Sequence, residues 1–175
     1  MGYTLTIGNA VPRMPSQSEI DDDEDRTPGW DVNGGESEDA PSFPGDERGS
    51  ARSPSYSGWA EFCRATGLSS LFFGAQGFAR RENIAERDTC LIHQHPGVTL
   101  LRALDLVEVR HAVALWKAKP WPTEERIPGF DPELKPFDRE EPDPRYDGHL
   151  ARLLWLEFWI EWALKNCEHP AIGNT

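Results

Sequence analysis

Apolar positions in this chain fall into a few dense blocks separated by long polar stretches, and the densest block lies near the C-terminus. From Gly148 to Cys167 (GHLARLLWLEFWIEWALKNC) there is no proline and no interior glycine, and three of the seven tryptophans fall here. The block is apolar almost all round, the pattern of a helix buried on most sides. At about 100° per residue, Trp155, Trp159 and Trp162 share one face, with Arg152 and Asn166 at its ends. Leu150, Leu153, Leu154, Leu164, Glu157 and Glu161 share the other. This segment is expected to be the central helix of the core, stopped near His169-Pro170.

The remaining blocks are shorter. Tyr3, Leu5 and Ile7 alternate with Thr4, Thr6 and Gly8, the period-2 signature of a half-buried strand over Tyr3–Val11 that Pro12 ends. Ser57 to Gly67 predicts a short helix: Ser57 or Gly58 caps it, Trp59, Phe62 and Cys63 share a face, and Gly67 suits a left-handed stop. Leu68 to Phe73 forms a second apolar patch, read as a turn of helix. Within Cys90–Leu101, Pro96-Gly97 divides two apolar runs and predicts a β-hairpin, with a helix running on from Thr99 as the competitor. Asp105 and Glu108 look like a capping pair opening a helix to Lys119, on which Leu106, Val109, Val113 and Trp116 form one stripe. The tail 171–175 is short enough to fray or tuck.

These elements predict one domain over residues 1–175 with a mainly α fold (α+β). Three principal helices gather around the Trp-rich C-terminal helix. The β content is small: the N-terminal strand and the hairpin near 90–101. Two stretches stand apart. Residues 12–57 hold twelve acids against four arginines and are rich in Pro, Gly and Ser. They read as an acidic arm, partly disordered or draped over the domain, with Trp30, Phe43 and Tyr56 as anchors. Residues 120–147 carry seven prolines and nine acids against four basic residues, a stiff surface connection.

Composition narrows the function classes. A net charge of −12 argues against a duplex nucleic-acid partner and against an anionic membrane surface, both of which need clustered Lys and Arg. A basic protein partner or a small anion held in a local arginine pocket remains compatible with it. Three widely spaced cysteines do not form a secreted disulfide framework, and neither a signal peptide nor a membrane span is legible. A cytoplasmic location is expected.

Four groups of residues carry candidate chemistry. Arg52, Ser55, Tyr56, Ser57 and Trp59 precede or open a helix, where backbone N–H groups and the dipole favour anions. With Arg80 and Arg81 they form a candidate site for a nucleotide or other anion, although capping alone also explains the serines. Cys90, His93 and His95 offer zinc-compatible ligands that Cys167 and His169 could complete, but the spacing matches no standard zinc pattern. If that stretch is a strand, His93 and His95 share a face and Cys90 points opposite. Glu157 and Glu161, one helical turn apart, could hold a divalent cation or act as acid and base. The ordinary alternative is a solvent edge, with Glu161 paired to Lys165 or both acids met by Arg64, Arg102 or Arg110. The fourth group is the Trp155, Trp159 and Trp162 face as a surface for a partner. The acidic run Asp21–Asp25 lacks the glycine and terminal Glu of a calcium loop.

The segments SPSYSGWAEFCRATGL, HPGVTLL and RLLWLEFWIEWALKNCEHPAIGNT together resemble small accessory proteins of tailed-phage and prophage genomes. The resemblance implies a host-cytoplasmic accessory role and assigns no residue a function. No cofactor is implied. The leading expectation is a non-enzymatic protein that works through a protein partner or self-association. The alternative is sequestration of a small anionic ligand before Trp59, and a third reading is a metal-dependent enzyme using Glu157 and Glu161.

Overall fold

The computed structural model describes residues 2–13, 29–41, 48–74, 90–92, 95–129 and 143–175. The N-terminal strand outgrows its expectation: β1 (Leu5–Arg13) runs through Pro12, whose neighbour across the ladder is Trp30. The C-terminal tail is no fraying end. As β5 (Pro170–Asn174) it lies antiparallel along β1, from Leu5 opposite Asn174 to Asn9 opposite Pro170. On the far edge of β5 runs β4 (Gly97–Leu100). The second edge of β1 takes β3 (Ala51–Arg52) beside Leu5 and Thr6, and β2 (Gly29–Gly34) beside Gly8 to Arg13.

The result is a five-stranded antiparallel sheet of order β2-β1-β5-β4, with β3 also on β1. Leu5, Ile7 and Ile172 line its inner face and belong to the main hydrophobic core. The expectation of a mainly α fold with a small β element is therefore corrected: this is an α+β molecule in which a sheet forms one wall of the core. Two of the strands lie inside residues 12–57, so part of that arm is woven into the sheet. Gly97–Leu100 pairs with β5, so the hairpin expected near 90–101 does not form among the described residues. Ladders such as these are set by partners distant in sequence, and a strand reading PAIGN shows no alternation to announce it.

The helices follow local rules closely. Ser55, two residues before the expected cap, holds the start of α1 (Tyr56–Thr66) by accepting from the Gly58 N–H at 3.1 Å. Gly67, with φ of 80°, ends it in the left-handed region that favours glycine. The short α2 (Ser69–Phe73) follows. α3 (Ala103–Lys117) begins two residues before Asp105, whose carboxylate accepts from the Arg102 N–H at 2.7 Å. α4 (Gly148–Asn166) is the Trp-rich helix, opened by Asp147.

α4 is apolar nearly all round because it is enclosed. Leu153, Trp155, Leu156, Trp159, Ile160 and Ala163 join the sheet residues, Trp59 and Phe62 of α1, Phe72 of α2 and Val109 of α3 in one core. The 120–147 connection is stitched at its ends: the Ile127 N–H donates to Arg145 and the Asp147 N–H to the Ile127 carbonyl, at 2.8 and 2.9 Å. No helix among the described residues is long and apolar enough to cross a membrane.

Candidate functional site

Among the described residues three gatherings of polar groups bear on the packing of the helices and the sheet, and the first is the joint between α3 and α4. Asp147 is 1% exposed, yet its carboxylate is fully matched. One oxygen accepts from the His149 and Leu150 N–H groups at 3.1 and 2.9 Å, as a helix cap does. The other accepts from Trp116 Nε1 at 2.9 Å and from Arg126 Nε at 2.6 Å. Arg126 also donates to the carbonyls of Trp116, Lys117 and Lys119, and so closes the last turn of α3. One guanidinium thus ties the end of one helix to the beginning of the next. On the open side of this joint lie Tyr146, His149 and Arg152, all half-buried. Burial pushes the Tyr146 hydroxyl up and pulls His149 down, keeping the imidazole neutral.

The second place is a hydrogen-bonded chain across α1, the 95–97 turn and β5. Asn174, buried in the sheet, accepts at Oδ1 from His95 Nδ1 at 3.0 Å. That bond places the imidazole proton on Nδ1, so Nε2 accepts from the Tyr56 hydroxyl, also at 3.0 Å. The buried Tyr3 ring packs edge-on against both, with centroids 4.3 Å from Tyr56 and 5.5 Å from His95. The chain clasps the start of α1 to the sheet.

The third place is the contact between α3 and α4, where Arg110 reaches Glu157 at 3.1 Å and Glu161 at 2.6 Å. Lys165 adds a second cation to Glu161 at 2.6 Å. Those hydrogen bonds, Lys165 first and Arg110 after, hold the Glu161 carboxyl below its ordinary range.

The residues singled out from the sequence are therefore dispersed. Ser55 is a cap, Ser57 is exposed, and Trp59 is buried at 2% exposure. Tyr56 faces His95, while Arg52 lies 5.2 Å from the Trp155 ring centroid, on the α4 side. The anion site expected before Trp59 is thus not assembled as a unit, because its aromatic anchor serves the core and its serine serves the helix. Arg80, Arg81, His93, Phe43 and Asp21–Asp25 lie outside the described residues. Cys90 and Cys167 are half-buried, and no group of three or more His, Cys, Asp and Glu side chains gathers among the described residues. Glu157 and Glu161 are an ion-paired helix edge.

Trp155 and Trp159, at 1% and 0% exposure, are inside the molecule and out of a partner's reach. Trp162 is half-buried beneath Gly35, where any Cβ would come within 2.5 Å of the indole. The expected Trp surface is corrected: three large side chains on one helix face are equally what a sheet needs above it. A shallow depression of about 360 Å³ lined by Glu36, Ser37, Glu38 and Arg48 offers an anion little, since its arginine already donates to the Glu38 carbonyl.

Sequence reasoning missed the Arg126–Asp147 joint and the pairing of Tyr56 with His95. The Asp147-Gly148 cap before a long apolar block was a legible signal for the first. Nothing local announces the second.

Thiol chemistry separates cleanly by depth. Cys63 is fully buried, and burial pushes its thiol far up, so it is held protonated and inert. Native protein treated with a maleimide is expected to take up label at Cys90 and Cys167 only, Cys63 following once denaturant is added. Intact mass checks this, and a third label gained at the native rate would contradict the packing of α1.

Compared with family models, curated proteins and solved structures, the chain matches none.

Proposed function

We propose that the protein works through protein contacts, as a self-associating accessory protein, and that the outer face of α3 is the contact. The observation that carries this is a stripe of large apolar side chains in solvent. Leu104, Val107 and Leu115 are 64, 58 and 55% exposed, and Leu100 beside them on β4 is 61% exposed. Single exposed leucines are ordinary, whereas several on one helix face mark an interaction surface. At 100° per residue these side chains flank His111 and Glu108, with Arg110 turned away toward α4. α3 is thus apolar on two opposite sides, one of them used by the core.

A second copy suits the stripe. Two such helices packed antiparallel about a two-fold axis bring Leu104 of one protomer opposite Leu115 of its partner and Glu108 opposite His111. Apolar meets apolar, and acid meets imidazole, at one register. A contact of about one helix face lies at the small end of stable interfaces, so reversible association is expected. The resemblance to phage accessory proteins and the three free cysteines suit a role in a reducing host cytoplasm.

Sedimentation velocity over a concentration series tests the reading. Wild-type protein is expected to shift from monomer toward dimer, and Val107→Glu to stay monomeric with unchanged thermal stability in dilute solution. A wild type that remains monomeric to its solubility limit rejects self-association.

A further inference from the structure

The chain has three tyrosines, Tyr3, Tyr56 and Tyr146. A phenol is a poor nucleophile at neutral pH because it holds its proton, and it becomes a good one when a base stands ready to take that proton. Tyr3 is buried and Tyr146 half-buried, and burial pushes both hydroxyls up, so they are held protonated. Neither donates to an imidazole among the described residues. Tyr56 does, with its hydroxyl 3.0 Å from His95 Nε2.

The imidazole is presented as a base. Its Nδ1 proton is held by Asn174 Oδ1 at 3.0 Å, which leaves the Nε2 lone pair for the phenol. Asn174 is 1% exposed and lies in β5 between Leu5 of β1 and Gly97 of β4, so the orienting amide is fixed by strands on both sides. Tyr56 is fixed in turn by the first turn of α1, and the buried Tyr3 ring packs edge-on against both reacting rings. Nucleophile, base and a third group that orients the base, each at hydrogen-bond distance, are the parts of an activated nucleophile. The reacting end is open: His95 is exposed, Tyr56 half-buried, and the bond between them lies at the surface.

We propose that Tyr56 is a covalent acceptor site for an acyl group, with His95 as the base that takes its proton and Asn174 as the positioning residue behind that base. The phenolic oxygen attacks the carbonyl carbon of an activated acyl donor while Nε2 takes the phenolic proton. The bond from that carbon to its leaving group then breaks, and the leaving group takes the proton back from the imidazole. The products are O-acyl-Tyr56 and the protonated leaving group, with His95 returned to its starting form. Negative charge that develops during the attack lies near the start of α1, where the helix dipole favours it. An uncharged carbonyl suits the site better than a phosphoryl donor, because the hydrogen-bond and ring partners of Tyr56 and His95 among the described residues, Tyr3 and Asn174, carry no positive charge. The site is independent of the outer face of α3.

Acetylation of the full chain by N-acetylimidazole, followed residue by residue through peptide mass, tests this. Tyr56 is expected to be acetylated about a hundredfold faster than N-acetyltyrosinamide in the same solution, with Tyr3 and Tyr146 slower than the amide. His95→Gln keeps an amide oxygen to accept from the phenol but has no base to take its proton. It is expected to react at the rate of the amide, with thermal unfolding unchanged. Asn174→Leu is expected to lose most of the acceleration, and Asn174→Asp, which keeps an acceptor for Nδ1, to retain it. Wild-type Tyr56 that reacts no faster than the amide overturns the site, and so does full acceleration in His95→Gln. The comparison with the amide uses the native chain and decides the matter if His95→Gln does not fold.

Discussion

Trp159→Ala is expected to lower unfolding free energy by about 3–5 kcal/mol, a large share of what a domain of this size possesses. Trp159 is 0% exposed, with Phe158 and Trp162 ring centroids 5.1 and 5.3 Å away, at the centre of the α4 face that meets the core. Removing the indole takes away a large buried area and leaves a cavity that a sheet and three helices cannot all collapse upon. One detail sharpens the test. The indole N–H has no hydrogen-bond partner among the described residues, a buried donor left unsatisfied. Trp159→Phe removes that donor along with some volume, so its cost is expected to be about 1–2 kcal/mol. Urea unfolding of the two variants checks both values. Equal losses would mean that the N–H is satisfied in solution. A stable Trp159→Ala protein that merely failed to associate would restore the tryptophan face as a contact surface.

The helices were legible because their signals are local. Gly67 stops α1, Asp147 opens α4, and the Leu106, Val109, Val113 stripe of α3 is buried as its spacing implied. The sheet was not legible, for reasons that lie in its residues. β2 reads GWDVNG and β5 reads PAIGN, sequences whose Gly, Pro and Asn ordinarily mark turns. They form strands because β1 supplies partners across long separations, and no window of sequence contains both sides of such a ladder. The polar sites divide in the same way. The Glu157–Glu161 edge was readable from helical spacing, whereas Arg126 sits in a proline-rich connection with nothing beside it to suggest a buried acid. Arg152 looked like the polar end of a helix face. Only the fold shows that it is half-buried, with its guanidinium carbon 5.8 Å from the Phe62 ring centroid.

A second large effect is expected at Arg126. Its side chain is 14% exposed and faces a carboxylate that is 1% exposed. Arg126→Met leaves Asp147 with its cap bonds and Trp116 Nε1 but no cation, and it frees the carbonyls at the end of α3. Stranding one member of a buried pair typically costs about 3–5 kcal/mol, because the remaining charge stays desolvated. Asp147→Ala is expected to be comparably harmful, since it removes a helix cap as well as the acceptor for Arg126. The double variant should lose much less than the sum of the two, for then neither charge is buried alone. Denaturant unfolding of all four proteins gives the coupling directly. Strict additivity would mean that Arg126 acts only on the α3 carbonyls, with Asp147 a cap and nothing more. Salt separates the two accounts further. A surface pair would weaken markedly between low and molar ionic strength, whereas this one, closed off by Trp116 and the first turn of α4, should keep most of its coupling, because counterions cannot approach a carboxylate whose every oxygen is already matched.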